Sequence, residues 1–164
     1  MLASESIIKV IKKGSGEFVH GQTYEGMPSI AAGALEVQKI IQDNNLLDNV
    51  SKQGIYLETR LKAVLGNHPN VGDIRGRGLF WGIEFVKEKA SKEPFDSNIA
   101  YDIRDSFLSP PFNMTVYAGV GFVDGKRGDH IILAPPFTVK KKEVELIVTT
   151  VLAAVNCFFL NPPS

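Results

Sequence analysis

Apolar residues recur along this chain with two different periods. From Glu5 to Lys13, Ile7, Ile8 and Ile11 fall on one side of a short helix that Gly14 ends, with Ser4 as its expected N-cap. Pro28 suits the first turn of a longer helix running to about Asn45, in which Ile30, Ala34, Val37 and Ile41 form one stripe widened by Ala31 and Leu35. The run Ala31-Ala32-Gly33-Ala34 lets another backbone pack close, as in a helix buried in a larger body or at a subunit contact. Asn44-Asn45 interrupts the pattern. In the next helix, to about Leu65, Leu47, Val50, Gly54, Leu57, Leu61 and Val64 recur at alternating three- and four-residue steps, which suit a coiled-coil seam or, over so short a run, the more common helix-on-helix packing. Gly66-Asn67-His68-Pro69 ends it, and His68 in such a turn is expected to be exposed.

Past Pro69 the period shortens. Val71 to Gly78 reads as a glycine-rich strand start and Leu79 to Val86 as a buried strand, whose Glu84 needs a partner if it faces the core. A charged turn, Lys87 to Lys92, leads to a helix capped by Asp96 or Ser97, with Ile99, Ile103 and Phe107 in line and Ser109-Pro110-Pro111 closing it. Met114 to Ala118 is a short strand, Gly119 to Gly128 a glycine-rich loop carrying Lys126 and Arg127, and Ile131 to Ala134 another strand. The last helix runs from about Lys140 to Phe158 with Thr138 as its expected N-cap. Helices followed by strands mixed with helices point to an α+β unit with a short, largely antiparallel sheet.

Composition narrows this little. The 164 residues are 44% hydrophobic and 22% charged, in the range of globular domains. Eighteen basic residues balance eighteen acidic ones, so charge points to neither a nucleic acid nor a membrane surface. Cys157 cannot form an internal disulfide as the one cysteine, and its apolar neighbours predict a buried, inert thiol. No apolar run is expected to reach the ~20 residues of a membrane helix, and Met1 to Ser6 lacks the basic start and apolar core of a signal peptide. A cytoplasmic location is the default expectation.

The chemistry concentrates in Gly14 to Pro28, where four glycines, a proline and hydrogen-bonding side chains precede a long helix. Glycines let a backbone approach a ligand, and hydroxyls and N–H groups beside a helix N-terminus suit a phosphate. An ordinary helix-entry loop has the same composition. Arg75 and Arg77, two apart, could grip a carboxylate as a guanidinium fork or form structural salt bridges, the reading their strand position favours. Lys9, Lys12 and Lys13 on an amphipathic helix read as a solvated face. No spacing marks a hydrolytic triad or a metal site.

The order Phe18-Val19-His20-Gly21-Gln22-Thr23-Tyr24-Glu25-Gly26-Met27-Pro28 resembles the F-x-H-G-x-T-Y-x-G-H-P segment of class III pyridoxal-phosphate aminotransferases. Two later stretches fit the same family in the same order, Val71-Gly72-Asp73-Ile74-Arg75-Gly76-Arg77-Gly78-Leu79-Phe80-Trp81-Gly82-Ile83-Glu84-Phe85 and Gly128-Asp129-His130-Ile131-Ile132-Leu133-Ala134-Pro135-Pro136-Phe137. Met27 departs from the family's usual histidine.

The resemblance implies a fold-type-I plan in which residues 1–46 are the tail of the large cofactor domain, 47–66 a linking helix, and 67–164 the small C-terminal domain. It implies pyridoxal 5'-phosphate as cofactor, Thr23 with Gln22 beside it contacting the cofactor phosphate of a neighbouring subunit, and a homodimer or a missing N-terminal half as partner. Substrates of the complete enzyme would be small amines and 2-oxo acids. Ornithine-type members carry an arginine where this chain has Ile132, which disfavours that subfamily; Arg127 is the candidate for a substrate carboxylate. The Schiff-base lysine of the family falls upstream of Met1, so the chain is expected to lack it and to be inactive alone. A non-catalytic dimerisation module related to aminotransferases, and a stand-alone phosphate or nucleotide binder using Gly14 to Thr23, remain alternatives.

Overall fold

Helical and strand periods resolve into nine elements in the computed structural model, which describes residues 3–160. They are helices α1 (Glu5–Lys13), α2 (Pro28–Asp43) and α3 (Leu46–Leu65), strands β1 (Val71–Arg77) and β2 (Phe80–Phe85), helix α4 (Ala100–Leu108), strands β3 (Tyr117–Val120) and β4 (Asp129–Leu133), and helix α5 (Lys141–Leu160). The chain divides into two units, one ending at Ile40 and the other beginning at Ile41.

In the first unit, α1 and the opening turns of α2 flank the glycine-rich loop. Neither helix buries a residue: Ile7, Val10, Ile30, Leu35 and Val37 of their apolar stripes stay exposed. Ser4 stands at the N-cap of α1, but its hydroxyl pairs with that of Ser6 at 2.8 Å instead of capping the helix.

The second unit is α+β. Its four strands, in the order β1-β2-β4-β3, are antiparallel throughout. β1 and β2 form a hairpin whose two-residue connection places Gly78 at φ +57°, a conformation that favours glycine. Alternation sends Ile74, Trp81, Ile83, Ile131 and Leu133 to the inner face. There they meet Leu57, Leu61 and Leu65 of α3, Ile103 and Phe107 of α4, and Val144, Val148, Val151 and Val155 of α5 in one core. Gly54 of α3 lies so close to the Gly78 carbonyl that a β-carbon would not fit. Trp81 locks the same corner by donating its Nε1–H to that carbonyl at 2.7 Å. Across α3 and α5, Glu145 accepts from the Tyr56 hydroxyl and from Arg60 Nε at 2.9 Å.

Several elements differ from the expectation. α4 begins at Ala100, not beside Asp96 or Ser97, because its first N–H groups find their acceptor elsewhere in the chain: Asp129 Oδ1 of β4 accepts from Ile99 at 2.8 Å and Ala100 at 2.9 Å. α5 is opened by Glu143, whose carboxylate accepts from the Lys140 N–H at 2.7 Å, and not by Thr138. β3 lies further along the chain than Met114 to Ala118. His68 is half-buried: its ring packs on Phe159 with centroids 5.4 Å apart and its Nδ1 accepts from the Asn70 N–H, while burial first and the Lys89 charge second lower its pKa. Cys157 is exposed on α5, not buried. α5 itself is, by length and composition, apolar enough to cross a membrane, contrary to the sequence expectation; in this fold it contributes six buried residues to the second unit.

Candidate functional site

The loop between α1 and α2 turns twice before the helix opens. Gly16 and Gly26 both have positive φ, +75° and +74°. The Glu25 N–H donates to the Gln22 carbonyl at 3.0 Å, and Ala31 donates to the Met27 carbonyl at 3.0 Å as α2 starts from Pro28. His20, Gly21, Gln22 and Glu25 line an open hollow of about 510 Å³. The His20 ring sits edge-on to Phe18 at 5.7 Å. Gln22 and Thr23 are exposed, and neither the amide of Gln22 nor the hydroxyl of Thr23 has a hydrogen-bond partner among the described residues.

Those free donors suit the phosphate end of an anionic cofactor beside a helix N-terminus. The fit stops there. Glu25, which shares the hollow, opposes an anion. The lysines of this unit, Lys9, Lys12, Lys13 and Lys39, are exposed, with Lys9 on Glu5 at 3.1 Å and Lys39 on Glu36 at 3.5 Å. None stands in the dry surroundings that make a lysine amine nucleophilic at neutral pH.

A second constellation occupies the outer face of the sheet, away from the helices. Arg75 reaches Asp73 at 3.0 Å and Glu84 at 2.8 Å through one nitrogen, Nη1. The hydrogen bonds of Glu84 and then Asp73 raise the Arg75 pKa. Burial pushes Asp73 up, but the bond from Arg75, the Ile74 N–H and the arginine charge outweigh it and leave the carboxyl lowered. The structural-salt-bridge reading of Arg75 therefore holds, and Glu84 has the partner it needs. Arg77 forms no ion pair among the described residues. Next to Glu84 in register lies His130, half-buried against Phe122 with centroids 4.3 Å apart; burial and then the Arg75 charge lower its pKa. Ile132 faces the same side, opposite Gly82. This arrangement encloses a hollow of about 430 Å³ that sequence reasoning missed, because only the register of β2 against β1 and β4 assembles it.

Arg127 has a local partner of its own. It sits in the loop between β3 and β4, where Asp124 accepts from its Nε at 2.8 Å and from its N–H at 2.7 Å. With a further bond from the Lys126 N–H, Asp124 is lowered to about 2. Among the described residues no group of three histidine, cysteine or acidic residues is placed to hold a metal ion.

The second unit is an α+β fold with a four-stranded antiparallel sheet, and the solved structures that superpose on the chain are transaminases. The family model described as aminotransferase class-III matches residues 1–155: this chain belongs to the class III aminotransferases. It is 43% identical over 157 residues to an aminotransferase of Gibberella zeae, a match covering 94% of the chain and 30% of that relative. An aminotransferase structure from Bacillus anthracis superposes with a TM-score of 0.71 at 32% identity, covering 93% of this chain and 34% of that one. The PMP-bound form of an aminotransferase from Vibrio fluvialis gives 0.72 at 27% identity, covering 94% and 32%. The chain thus spans about a third of the length of the relatives it matches.

Proposed function

We propose that this chain is the C-terminal part of a pyridoxal 5'-phosphate-dependent aminotransferase that moves an amino group from an amine or amino acid to a 2-oxo acid or aldehyde. Residues 1–46 close the large domain, 47–66 link, and 67–164 form the small domain. Thr23 and Gln22 donate to the cofactor phosphate, and Arg127 is the candidate for a substrate carboxylate. The cofactor, when bound, supplies the electrophilic carbonyl and electron-withdrawing ring that amino-group transfer requires. The lysine that anchors it belongs to polypeptide outside these residues, so the isolated chain does not turn over. Its partner is a second copy or an N-terminal half, and a cytoplasmic location accompanies the reading.

One observation supports this reading: an exposed loop, whose Gln22 and Thr23 side chains have no hydrogen-bond partner among the described residues, lies between two helices whose apolar stripes are exposed. Co-expression with the polypeptide of a class III relative that this chain does not cover tests it. Pyridoxal-phosphate-dependent amine consumption should appear in the mixture and fall by about tenfold with Thr23→Val, a loss of about 1.4 kcal/mol of transition-state stabilisation. Turnover untouched by Thr23→Val contradicts the phosphate assignment. The same uncovered stripes favour a second reading, a non-catalytic interaction module, which predicts a stable complex with no turnover.

A further inference from the structure

Arg77 differs from Arg75, two positions earlier. Arg75 is bracketed by Asp73 and Glu84 at 3.0 and 2.8 Å, whereas the Arg77 guanidinium has no ion pair or hydrogen-bond partner among the described residues. It stands at the end of β1, cross-strand from Phe80, where the hairpin turns at Gly78. There it lines a hollow of about 450 Å³ between the hairpin and α3, with Val50, Ser51, Ile55 and Glu58 of the helix and Trp81 of β2 as walls. That volume lies within the ~300–1,000 Å³ of small-molecule sites. The walls are held in place from below. Gly54 of α3 comes so close to Gly78 that no β-carbon fits between them, and Trp81 clasps the same turn through its 2.7 Å bond to the Gly78 carbonyl.

The other polar side chains of the wall have partners. The Ser51 hydroxyl donates to the Leu47 carbonyl at 3.0 Å, the Trp81 indole N–H is on Gly78, and Glu58 is bridged by Lys62 at 2.6 Å. Lys62 also sits over the Trp81 ring, 5.6 Å from its centroid, so the charge of Glu58 is balanced beside the hollow. The charge left over is that of Arg77. A planar guanidinium matches a carboxylate through two parallel N–H donors. The rest of the wall is apolar: Val50, the Trp81 indole, and Ile55, which is 68% exposed. A bare anion would answer Arg77 and leave these walls in water, and an ammonium would be repelled by it. A carboxylate on a compact apolar body uses both features.

We infer that the hollow between α3 and the β1–β2 hairpin binds a small carboxylate with an aromatic or branched aliphatic body, the carboxylate on Arg77 and the body against Trp81 and Ile55. Such a ligand needs neither an amino group to give nor a keto carbonyl to receive one, so the binding does not depend on the proposed function. Benzoate, titrated into the isotope-labelled full chain, tests it, with benzylamine and inorganic phosphate as controls. Benzoate should shift the Gly54, Ile55, Gly76 and Gly78 amides and the Arg77 Nε–H saturably, and less tightly as salt rises; the controls should not. Arg77→Gln should weaken binding by about tenfold, the order of a hydrogen-bonded charge pair. Ser51→Phe, filling the hollow from an exposed position on α3, should abolish the shifts while leaving the unfolding midpoint unchanged. Should one variant fail to fold, the other decides. Shifts scattered over the surface, equal shifts with phosphate or benzylamine, or full binding by either folded variant overturn the inference. So do shifts of the same resonances with protein concentration alone, which would assign this hollow to a second copy. A failed complementation with an intact titration removes the proposed function and leaves the carboxylate site; the converse removes only the site.

Discussion

Replacing Asp129 by alanine removes the acceptor that opens α4. Asp129 is 2% exposed, and its Oδ1 accepts two N–H groups, of Ile99 and Ala100, at 2.8 and 2.9 Å. Hydrogen bonds to a charged group contribute ~1.5–3 kcal/mol each, and a lost N-cap costs ~0.5–2 kcal/mol. Against this stands the carboxylate's own desolvation, since Oδ2 is buried without a partner. The net expectation is a loss of about 2 kcal/mol, which at a urea slope of ~1–3 kcal/mol per molar lowers the midpoint by roughly 1 M. Asp129→Asn keeps an oxygen toward both N–H groups and should cost less than half as much. Burial raises the Asp129 pKa, helped by Asp102 and opposed by the two N–H bonds and His130. A carboxyl raised in the folded state contributes stability that is full below its unfolded value of ~3.9 and lost as pH rises through the folded value. The wild type should therefore gain on the asparagine variant as pH falls from neutrality toward 4. Urea denaturation followed by circular dichroism across that range reads both effects. Equal costs for alanine and asparagine would refute the remote-cap argument, whereas a wild type that loses ground in acid would refute the dominance of burial over the two N–H bonds at Asp129.

Three further outcomes are expected. Gly54→Ala, whose β-carbon meets the Gly78 carbonyl backbone to backbone, should destabilise by ~1–3 kcal/mol in the same denaturation assay. Phe107→Ala, truncating a fully buried ring under the sheet, should cost ~3–5 kcal/mol. Asp124, lowered to about 2 by the Arg127 and Lys126 bonds, should show its carboxyl carbon titrating near that value by nuclear magnetic resonance. The order it lends the loop is then present above ~3.9 and lost as pH falls through about 2; titration near 4 would show the Asp124–Arg127 contact to be absent in solution.

Local chemistry was legible in the sequence where it was sufficient. Pro28 opens α2, the Asn44-Asn45 break separates it from α3 with Asn45 left-handed at φ 50°, and the stripe of α3 meets the core through Leu57 and Leu61. It failed where a partner came from elsewhere. The start of α4 depends on Asp129, some thirty positions later, so the polar residues nearest the helix misled. Cys157 has apolar neighbours along the chain, but helical rotation turns it outward while Val155 and Phe158 turn in. The hollow over Gly82 needs three strands in register, and no single stretch announces it. For the loop carrying Gln22 and Thr23 the sequence supplied the donors, and among the described residues they have no hydrogen-bond partner.

The proposed function requires that the cofactor's covalent anchor lie on polypeptide other than these residues. Purified chain, given pyridoxal phosphate, an amine donor and a 2-oxo acid, should form product no faster than the same mixture without protein at any chain concentration. Product formation that rises in proportion to the chain and is lost in Thr23→Val would contradict it, because these residues would then hold a complete catalytic site.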